Sequence, residues 1–410
     1  MPKPAYGSYK LTYKMINNNL SKQELENRWH RLQQKMQDNG INACLICSDV
    51  NLYYLTGTIF SGYFYLATEG FPICFIKRET PTHADIDTVA IRKPEDIPAF
   101  LVQKSLPITG RVMLEGDQLT HNEYLRLQKL FPEDTQANAT TMLRTLRMVK
   151  TPWEVAQLKH SAKVHAEVYH WAKGCYRPGI SDLEFQLELE RIIRQHGSIG
   201  IFRGFGSNME IHMGSILVGE NAENPSPYDF ALGGAGMHPA APIGGNGTIL
   251  KEGTTVMVDM IGDYTAYVSD MTRTFSVGQL PEIAYKAHQV AIDIQNKLIE
   301  ISKPGVACAD LYNLSVEMAH TAGLSAHFMG TRFQAKFVGH GVGIELNELP
   351  VLTGRSKDLL EENMTIAIEP KFVLPQIGAV GVENTFVVTK TGLEKLTLFP
   401  EDIIDLTSST

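Results

Sequence analysis

Two stretches of this 410-residue chain decide its fold, and each consists of two β-rich runs around a turn. Residues 256–275 read VMVDMIGDYTAYVSDMTRTF, in which GDYT is prone to form a turn. Residues 365–389 read TIAIEPKFVLPQIGAVGVENTFVVT, in which the turn contains proline and glycine. Apolar, β-branched runs separated by such residues are typical of β-hairpins. The sequence therefore predicts two hairpins in its C-terminal half.

Each predicted hairpin carries two carboxylates. A first hairpin centred near residues 264 and 265 places Asp259 opposite Asp270, and opposed residues share one face of a hairpin. The second hairpin brings Glu369 and Glu383 together in the same way. Four carboxylates on one sheet surface repel each other, and an isolated buried carboxylate is too costly to keep ionised. Cations are therefore expected among them.

A histidine between glycines completes this set. His340 lies in VGHGVGIELNELP, where Gly339 and Gly341 leave room for the backbone to approach a site closely. A turn histidine without a ligand role is the alternative, but the two hairpins favour a ligand. Four carboxylates and one imidazole suit manganese, iron, cobalt or zinc better than a thiolate-seeking ion. The five residues together form the ligand set expected for two divalent metal ions.

Composition limits the function classes. The formal charge of −8 and the pI near 5.9 argue against nucleic acid as a partner, because dense clusters of lysine and arginine are missing. The sequence shows neither a secretory signal nor an apolar run long enough to span a membrane, so we expect a soluble, cytoplasmic protein. Five scattered cysteines fit a reducing compartment. Cys44 and Cys47 form a CxxC pattern, but NACLICS is more typical of a buried strand than of a redox or zinc site.

The pattern of helices and strands predicts two domains. A capping box at Ser21 and Glu24 begins a first helix, and apolar runs then alternate with turns and a further helical stretch. Residues 1–150 are predicted to form an α/β domain. Residues 151–410 are predicted to form a second domain that contains both hairpins.

The second domain shows a faint internal duplication. In each half a long helix leads into a Pro-Gly turn, at Pro178-Gly179 and at Pro304-Gly305, and then into a second helix and a hairpin. A capping box at Ser181 and Glu184 marks the second helix of the first half. Two similar halves facing each other would place one pair of carboxylates on each side of a shared cleft. Chance similarity between two helix-hairpin units is the alternative.

The strings VMVDM, YVSDMTRTF, VGHGVG, IAIEP and VENTF resemble the metal-site signatures of the prolidase, aminopeptidase P and creatinase family. The resemblance implies an α+β pita-bread catalytic domain with a pseudo-twofold internal repeat, preceded by a smaller α/β N-terminal domain. It also implies a dinuclear-metal exopeptidase. Such an enzyme hydrolyses the bond after an N-terminal residue, commonly one that precedes proline, through a metal-bridging hydroxide. A small peptide substrate, two divalent ions with manganese foremost, and a homodimer are the implied partners.

The resemblance also assigns roles to individual residues. Asp259 would bind one metal ion through both oxygens, while Asp270 and Glu383 would bridge the two ions. His340 and Glu369 would complete the other coordination sphere. Glu369 would also act as the base that takes a proton from the bridging water.

Three departures from the family pattern lie beside the ligands. The family usually has Asp-Leu-Gly at the first ligand, whereas Met260 follows Asp259 here. Asn347 stands where a second histidine is usual, and asparagine cannot exchange a proton near neutral pH. Gly381 replaces the usual arginine before the last glutamate. Metal-dependent hydrolysis is therefore a safer expectation than any named substrate.

A fourth departure concerns a histidine expected upstream of the first ligand. Pro242 occupies that position, and His238 in GGAGMHPAAPIGG is the candidate that could act in its place, as a second catalytic residue beside Glu369. The alternative is a loop histidine shaped by its glycine and proline neighbours. His212, in EIHMGS, is a weaker candidate for the same role.

Two other functions fit the same residues. The first is a pita-bread hydrolase or lyase acting on a non-peptide small metabolite, as in the creatine-hydrolysing relatives. The second is a binding or scaffolding protein with a degenerate site. The binding protein would hold no metal, so elemental analysis distinguishes it from both enzymes.

Overall fold

The computed structural model describes residues 20–79, 85–106, 110–131, 136–206, 213–228 and 230–408. The chain divides into two compact units between Arg147 and Met148. No helix in these residues combines the length and the apolar character that crossing a bilayer requires.

The first unit is an α/β unit built on one sheet. Its helices are α1 (Lys22–Asp38), α2 (Asp49–Thr56), α3 (Ile97–Gln103), α4 (His121–Gln128) and α5 (Thr140–Met148). Its strands are β1 (Ala43–Ile46), β2 (Gly62–Ala67), β3 (Ile73–Ile76), β4 (Asp87–Ala90), β5 (Val112–Leu114) and β6 (Gln136–Asn138). The sheet order is β4-β3-β2-β1-β5-β6, with parallel pairs at both ends and antiparallel pairs between β1, β2 and β3.

Two details of this unit bear on the sequence predictions. Ser21 caps α1 and accepts a hydrogen bond from the amide of Glu24, while the Glu24 carboxylate pairs with the buried Arg28 at 2.9 Å. Cys44 lies in the fully buried strand β1, and both Cys44 and Cys47 are free thiols. The interpretation of NACLICS as a buried strand is therefore confirmed.

The second unit contains both hairpins. Its helices are α6 (Pro152–Tyr169), α7 (Ala172–Cys175), α8 (Asp182–Gln195), α9 (Glu282–Ile301) and α10 (Cys308–Thr321). Its first strands are β7 (Gly214–Val218), β8 (Thr255–Gly262) and β9 (Ser269–Ser276), which form a sheet with the terminal strand β17 (Ile404–Asp405) in the order β17-β9-β8-β7.

Its remaining strands form two further sheets. They are β10 (Gly339–Gly341), β11 (Glu348–Val351), β12 (Thr365–Ile368), β13 (Lys371–Leu374), β14 (Gly378–Gly381), β15 (Asn384–Val388) and β16 (Leu393–Lys395). One sheet has the order β11-β10-β12-β15-β16, and β13 pairs with β14 alone. Buried aliphatic residues of α9, α10, β12, β13 and β15 pack into one core, while α6, α8, β8 and β9 contribute to another.

The two halves of this unit repeat the same order of parts. In each half a long helix is followed by a turn, a second helix and a carboxylate-bearing hairpin: α6, α8 and β8-β9 first, then α9, α10 and the hairpin from β12 to β15. Gly179 and Gly305 lie at the same place in the two turns and have φ of 81° and 92°. Only glycine adopts these angles readily, so the two halves share a backbone requirement as well as an element order.

Candidate metal centre

The first hairpin has a different register from the one predicted. β8 and β9 pair antiparallel with Asp259 opposite Thr272 and Ile261 opposite Asp270. The prediction that Asp259 faces Asp270 directly is therefore wrong. Because Asp259 and Ile261 are two residues apart on one strand, the two carboxylates still share a face, as diagonal neighbours.

The register differs because the connection is centred one residue later than the predicted turn, between Thr265 and Ala266. Residues 263–268 separate the strands, and contacts outside the hairpin hold them. The Asp263 carboxylate accepts hydrogen bonds from the Ser198 hydroxyl and the Gly200 amide. The Ser161 hydroxyl, on α6, donates to the carbonyl of Tyr267 at 2.7 Å. The loop conformation thus depends on partners that the hairpin sequence does not contain.

The second pair of carboxylates lies across one long, interrupted hairpin. β12 pairs with β15 and β13 pairs with β14 in one continuous register, which places Glu369 across from Glu383 between the two ladders. At these two residues the backbone amides form hydrogen bonds with residues outside the hairpin. The Glu369 amide donates to the carbonyl of Val338 and the Glu383 amide to that of Thr272. The predicted pairing of Glu369 with Glu383 is confirmed.

His340 lies on β10 beside the second pair. Its Nδ1 is 3.0 Å from the carbonyl oxygen of Gly341, which can only accept, so Nδ1 carries the proton. Nε2 lies 3.5 Å from Glu369 Oε1 and 3.7 Å from Asp270 Oδ2. Two ligand atoms about 2.1 Å from one tetrahedral ion lie about 3.4 Å apart, so these separations suit a shared ion.

Hydrogen bonds between the hairpins bring all four carboxylates to one place. The Thr272 hydroxyl donates to Glu383 Oε2 at 2.7 Å, and Thr385 Oγ1 accepts from the Asp270 amide at 2.8 Å. Asp270, Glu369 and Glu383 are at most 5% exposed. The side chain of Asp259 is 24% exposed and lies at the open side of the cluster.

A buried arginine fixes the strand ends that carry these groups. The guanidinium of Arg273 donates to the carbonyls of Thr272, Glu383, Phe399 and Pro400, and to Asn384 Oδ1. Burial lowers the pKa of Arg273 to about 10. Since the arginine bonds backbone groups of both hairpins, it holds their relative position without contacting the carboxylates.

Lys371 is a candidate functional residue that the sequence reasoning missed. Its Nζ lies 2.9 Å from Asp259 Oδ2, 2.7 Å from Glu369 Oε2 and 3.1 Å from Glu383 Oε2. The side chain is only 1% exposed. The signal available in the sequence was a single lysine inside the apolar run that follows Glu369, because such a charge is buried only with partners.

Burial and neighbouring charges shift the pKa values of the side chains in the cluster. Burial, reinforced by the neighbouring carboxylates, raises the pKa of Asp270 well above its usual range. Burial and Glu369 raise the pKa of Glu383 to about 8, although Lys371 acts in the opposite direction. Burial lowers the pKa of Lys371, but Asp259, Glu369 and Glu383 outweigh it and raise that pKa well above its usual value. The carboxylates therefore favour additional positive charge.

The described residues fit one divalent ion well. Asp270, His340 and Glu383 each offer a ligand atom, and these atoms lie within 4.8 Å of one another. Glu383 Oε1 is buried and has no hydrogen-bond partner among the residues that the structure describes. A buried, unpaired carboxylate oxygen is costly unless a cation meets it. Asp259 is not one of these three residues, and its Oδ2 accepts a hydrogen bond from Lys371.

The predicted accessory residues have other surroundings. His238 lies in an exposed loop, and its Nδ1 accepts from the amide of Ala240 at 3.0 Å. Its catalytic role stays a prediction, and His212 lies outside the described residues. Asn347 accepts from the Phe205 amide at 2.6 Å and donates to the Phe205 carbonyl at 2.8 Å. Asn347 thus holds a neighbouring backbone segment.

The structure explains why position 381 is a glycine. Its φ is 155°, and a Cβ there would lie 2.5 Å from the carbonyl oxygen of Pro370 and 2.8 Å from Cα of Lys371. A side chain at position 381 would therefore collide with the strand that carries Lys371. The loss of the family's arginine and the presence of the buried lysine are two parts of one local arrangement.

Known proteins share both units and their order. The sequence profile of metallopeptidase family M24 matches residues 156–390, more than half of the chain, and that of the creatinase/prolidase N-terminal domain matches residues 28–149. An Xaa-Pro dipeptidase from Pyrococcus furiosus is 23% identical over 386 residues, which span 93% of this chain and 100% of the relative. One from Lactobacillus delbrueckii subsp. lactis is 24% identical over 387 residues, spanning 90% and 95% of the two chains.

Solved structures agree on the fold. The Xaa-Pro dipeptidase from Bacillus anthracis matches with a TM-score of 0.77 at 20% identity, covering 93% of this chain and 99% of that one. The prolidase from Pyrococcus horikoshii matches with a TM-score of 0.75 at 22% identity, covering 92% and 100%. The chain has the pita-bread fold with a creatinase/prolidase-type N-terminal domain. It is a peptidase and belongs to metallopeptidase family M24.

Proposed function

We propose that the chain is a metal-dependent exopeptidase that releases the N-terminal residue from peptides in which proline follows. The observation that carries this proposal is the convergence of ligand atoms from Asp270, His340 and Glu383, together with a buried oxygen of Glu383, Oε1, that has no hydrogen-bond partner among the described residues. Two relatives that span nearly the whole chain bear the name Xaa-Pro dipeptidase, which supports the choice of substrate.

The side chains support hydrolysis as follows. A divalent ion, when bound, polarises a carbonyl oxygen and lowers the pKa of water. The hydrogen bond from His340 Nδ1 to the Gly341 carbonyl orients the ring, so that Nε2 is the nitrogen that faces the carboxylates. Glu369 Oε1 lies beside that nitrogen, while Oε2 is held by Lys371. Glu369 is thereby positioned to accept a proton at Oε1 and deliver it to the leaving nitrogen.

The metal is proposed to be manganese, with cobalt, zinc or iron as the other candidates. The proposed ligands are two carboxylates and one imidazole, with Glu369 beside them, and this oxygen-rich set suits these ions. Asp259 is 24% exposed and borders the opening of the cluster, where a substrate amine would find a carboxylate. A proline nitrogen makes the scissile amide tertiary and removes its N–H, so proteases that need that donor act poorly on such bonds.

A non-peptide substrate is the second candidate, and Asn347 is the observation that favours it. Both polar atoms of the Asn347 side chain are bonded to the backbone of Phe205, and an amide cannot exchange protons near neutral pH. The group that the family places there is therefore lost. A pita-bread hydrolase or lyase acting on a small C–N-bonded metabolite would tolerate that loss if its leaving group needed no second proton donor.

A substrate panel tests the proposal. The purified protein is stripped of metal, reloaded separately with Mn²⁺, Co²⁺, Zn²⁺ or Fe²⁺, and incubated with Xaa-Pro dipeptides, Xaa-Pro tripeptides, matched Xaa-Ala peptides, and small amidines and amides. We expect metal-dependent release of the first residue from the proline peptides, and its loss in Glu369→Gln. Absence of turnover on every peptide with every ion would refute the peptidase assignment, and turnover of a small amidine or amide would select the second candidate.

Location and assembly stay proposals. The five cysteines are all free thiols, which supports a reducing compartment such as the cytoplasm. The homodimer implied by the family resemblance is tested by light scattering of the full-length protein, where a monomer mass would contradict it.

A further inference from the structure

The carboxylate cluster already contains one cation. The ammonium of Lys371 has three N–H donors, and its three carboxylate contacts use them all: Asp259, Glu369 and Glu383 at 2.7–3.1 Å. These are the distances of charge-assisted hydrogen bonds. The side chain is 1% exposed, so no route to solvent competes with these contacts.

Two of the carboxylates divide their oxygens between two positions. Glu369 gives Oε2 to Lys371 and turns Oε1 towards His340 Nε2. Glu383 gives Oε2 to Lys371 and Thr272 and leaves Oε1 unpaired. The geometry thus has two adjacent cation positions that share these glutamates. Lys371 fills one, and Asp270, His340 and Glu383 surround the other.

A metal ion in the Lys371 position would have to displace the ammonium. Metal–oxygen bonds are about 2.0–2.2 Å long, so an ion bound to these three oxygens would lie in the space that the ammonium fills. The backbone of Lys371 is fixed by its neighbours and cannot shift to make room for an ion. Lys371 pairs with Gly381 across the β13-β14 ladder, and its carbonyl accepts from the amide of Met329. Gly381 lies so close to Lys371 that a side chain there could not fit.

We propose that the ammonium of Lys371 takes the place of the second metal ion, so that this chain binds a single divalent ion at Asp270, His340 and Glu383. This inference rests on the proposed function, because it assigns the cations of the same site. It replaces the two-ion centre expected from the family resemblance with a centre of one ion and one lysine. Asp259 then acts as a partner of the lysine.

The test counts ions, independently of activity. Full-length protein is stripped with a chelator, dialysed against excess Mn²⁺ and analysed by elemental analysis, and crystals grown with Mn²⁺ are examined for anomalous peaks. We expect one Mn²⁺ per chain in the wild type, beside His340, with Lys371 still bonded to its carboxylates. Lys371→Ala, which removes the ammonium and opens its position, is expected to bind two, the number typical of two-metal hydrolytic sites.

The control removes another buried lysine of the same unit. Lys150 is 1% exposed and pairs at 2.9 Å with Glu348, which is not one of the four carboxylates of the cluster. Lys150→Ala is therefore expected to keep one Mn²⁺ per chain. If the Lys371→Ala variant folds only when Mn²⁺ is present, it is refolded with the ion. The number of Mn²⁺ ions in the wild type and its anomalous map also test the lysine assignment without the variant.

The outcomes separate this inference from the proposed function. Two Mn²⁺ in the wild type, or one in a folded Lys371→Ala variant, would overturn the lysine assignment and leave a metal-dependent peptidase intact. A wild-type chain that takes up no Mn²⁺, Co²⁺, Zn²⁺ or Fe²⁺ would overturn both.

Discussion

The hydrogen bond from Thr272 to Glu383 offers a sharp test of how the site is organised. The Thr272 side chain is fully buried and donates to Glu383 Oε2 at 2.7 Å. Thr272→Val keeps the shape of the side chain and removes only the hydroxyl donor. Glu383 would then be oriented through Oε2 by Lys371 alone, at 3.1 Å.

The magnitude follows from the type of bond. A hydrogen bond to a charged group contributes about 1.5–3 kcal/mol. Substitution of a residue that orients a metal ligand commonly weakens metal binding by about 10–100-fold. Since a tenfold change corresponds to about 1.4 kcal/mol, the two ranges agree. We therefore expect the Kd for Mn²⁺ to rise by about 10–100-fold in Thr272→Val.

The assay is isothermal titration calorimetry of metal-stripped protein with Mn²⁺. Thr365→Val is the matched control, because Thr365 is equally buried and its hydroxyl donates to a neutral carbonyl, that of Val342, at 2.6 Å. This control is expected to lose about 1 kcal/mol of stability, with little change in Mn²⁺ affinity. An unchanged Kd in Thr272→Val, or an equal loss in Thr365→Val, would refute the reasoning that Thr272 orients a ligand.

Three further predictions concern single residues. Asp270→Ala is expected to lose bound Mn²⁺ and activity together, whereas Asp259→Ala should retain the ion because Asp259 bonds Lys371; equal metal loss in both, by elemental analysis, would contradict the proposed ligand set. Arg273→Met should lower the free energy of unfolding by about 3–5 kcal/mol in urea titrations, because it removes a buried charged donor shared by both hairpins. A change below about 1 kcal/mol would show that Arg273 does not fix the relative position of the hairpins. Burial, and secondarily Arg273, lowers the pKa of His165 from 6.5 to about 3, so the unfolded chain binds a proton there that the folded chain does not. As the pH falls below 6.5, this group alone should lower the free energy of unfolding by about 1.4 kcal/mol per pH unit. His165→Gln should therefore show a weaker fall in stability over this range. Equal slopes of stability against pH in the wild type and the variant, from urea titrations at pH 7 to pH 5, would contradict this.

The sequence pattern was enough to predict the carboxylates and the strands that carry them. Alternating apolar and polar residues around turns predict hairpins, and acidic residues inside such strands need cations. The pairing of Glu369 with Glu383 followed because the second hairpin keeps one register across its interruption. The order of elements in the two halves followed from the Pro-Gly turns at residues 178–179 and 304–305.

Partners distant in the chain could not be predicted in the same way. The loop after β8 is held by Ser198, Gly200 and the hydroxyl of Ser161, so its length and the register of Asp259 depended on contacts with other elements. Lys371 was visible as a charge in an apolar strand, but its acceptor Asp259 lies on the other hairpin, 112 residues away in the chain. Local pattern gives the position of a buried charge, and only tertiary structure gives its partners.

The outward bonding of Glu369 and Glu383 has a consequence for redesign. Their amides are bonded to the carbonyls of Val338 and Thr272, so the main chain at both positions is anchored independently of the side chains. Exchanging the proposed ligand Glu383 for aspartate, histidine or glutamine should therefore leave the scaffold intact while altering the preference for hard or soft ions. The same backbone could be used as a fixed frame on which metal selectivity is tuned one substituent at a time.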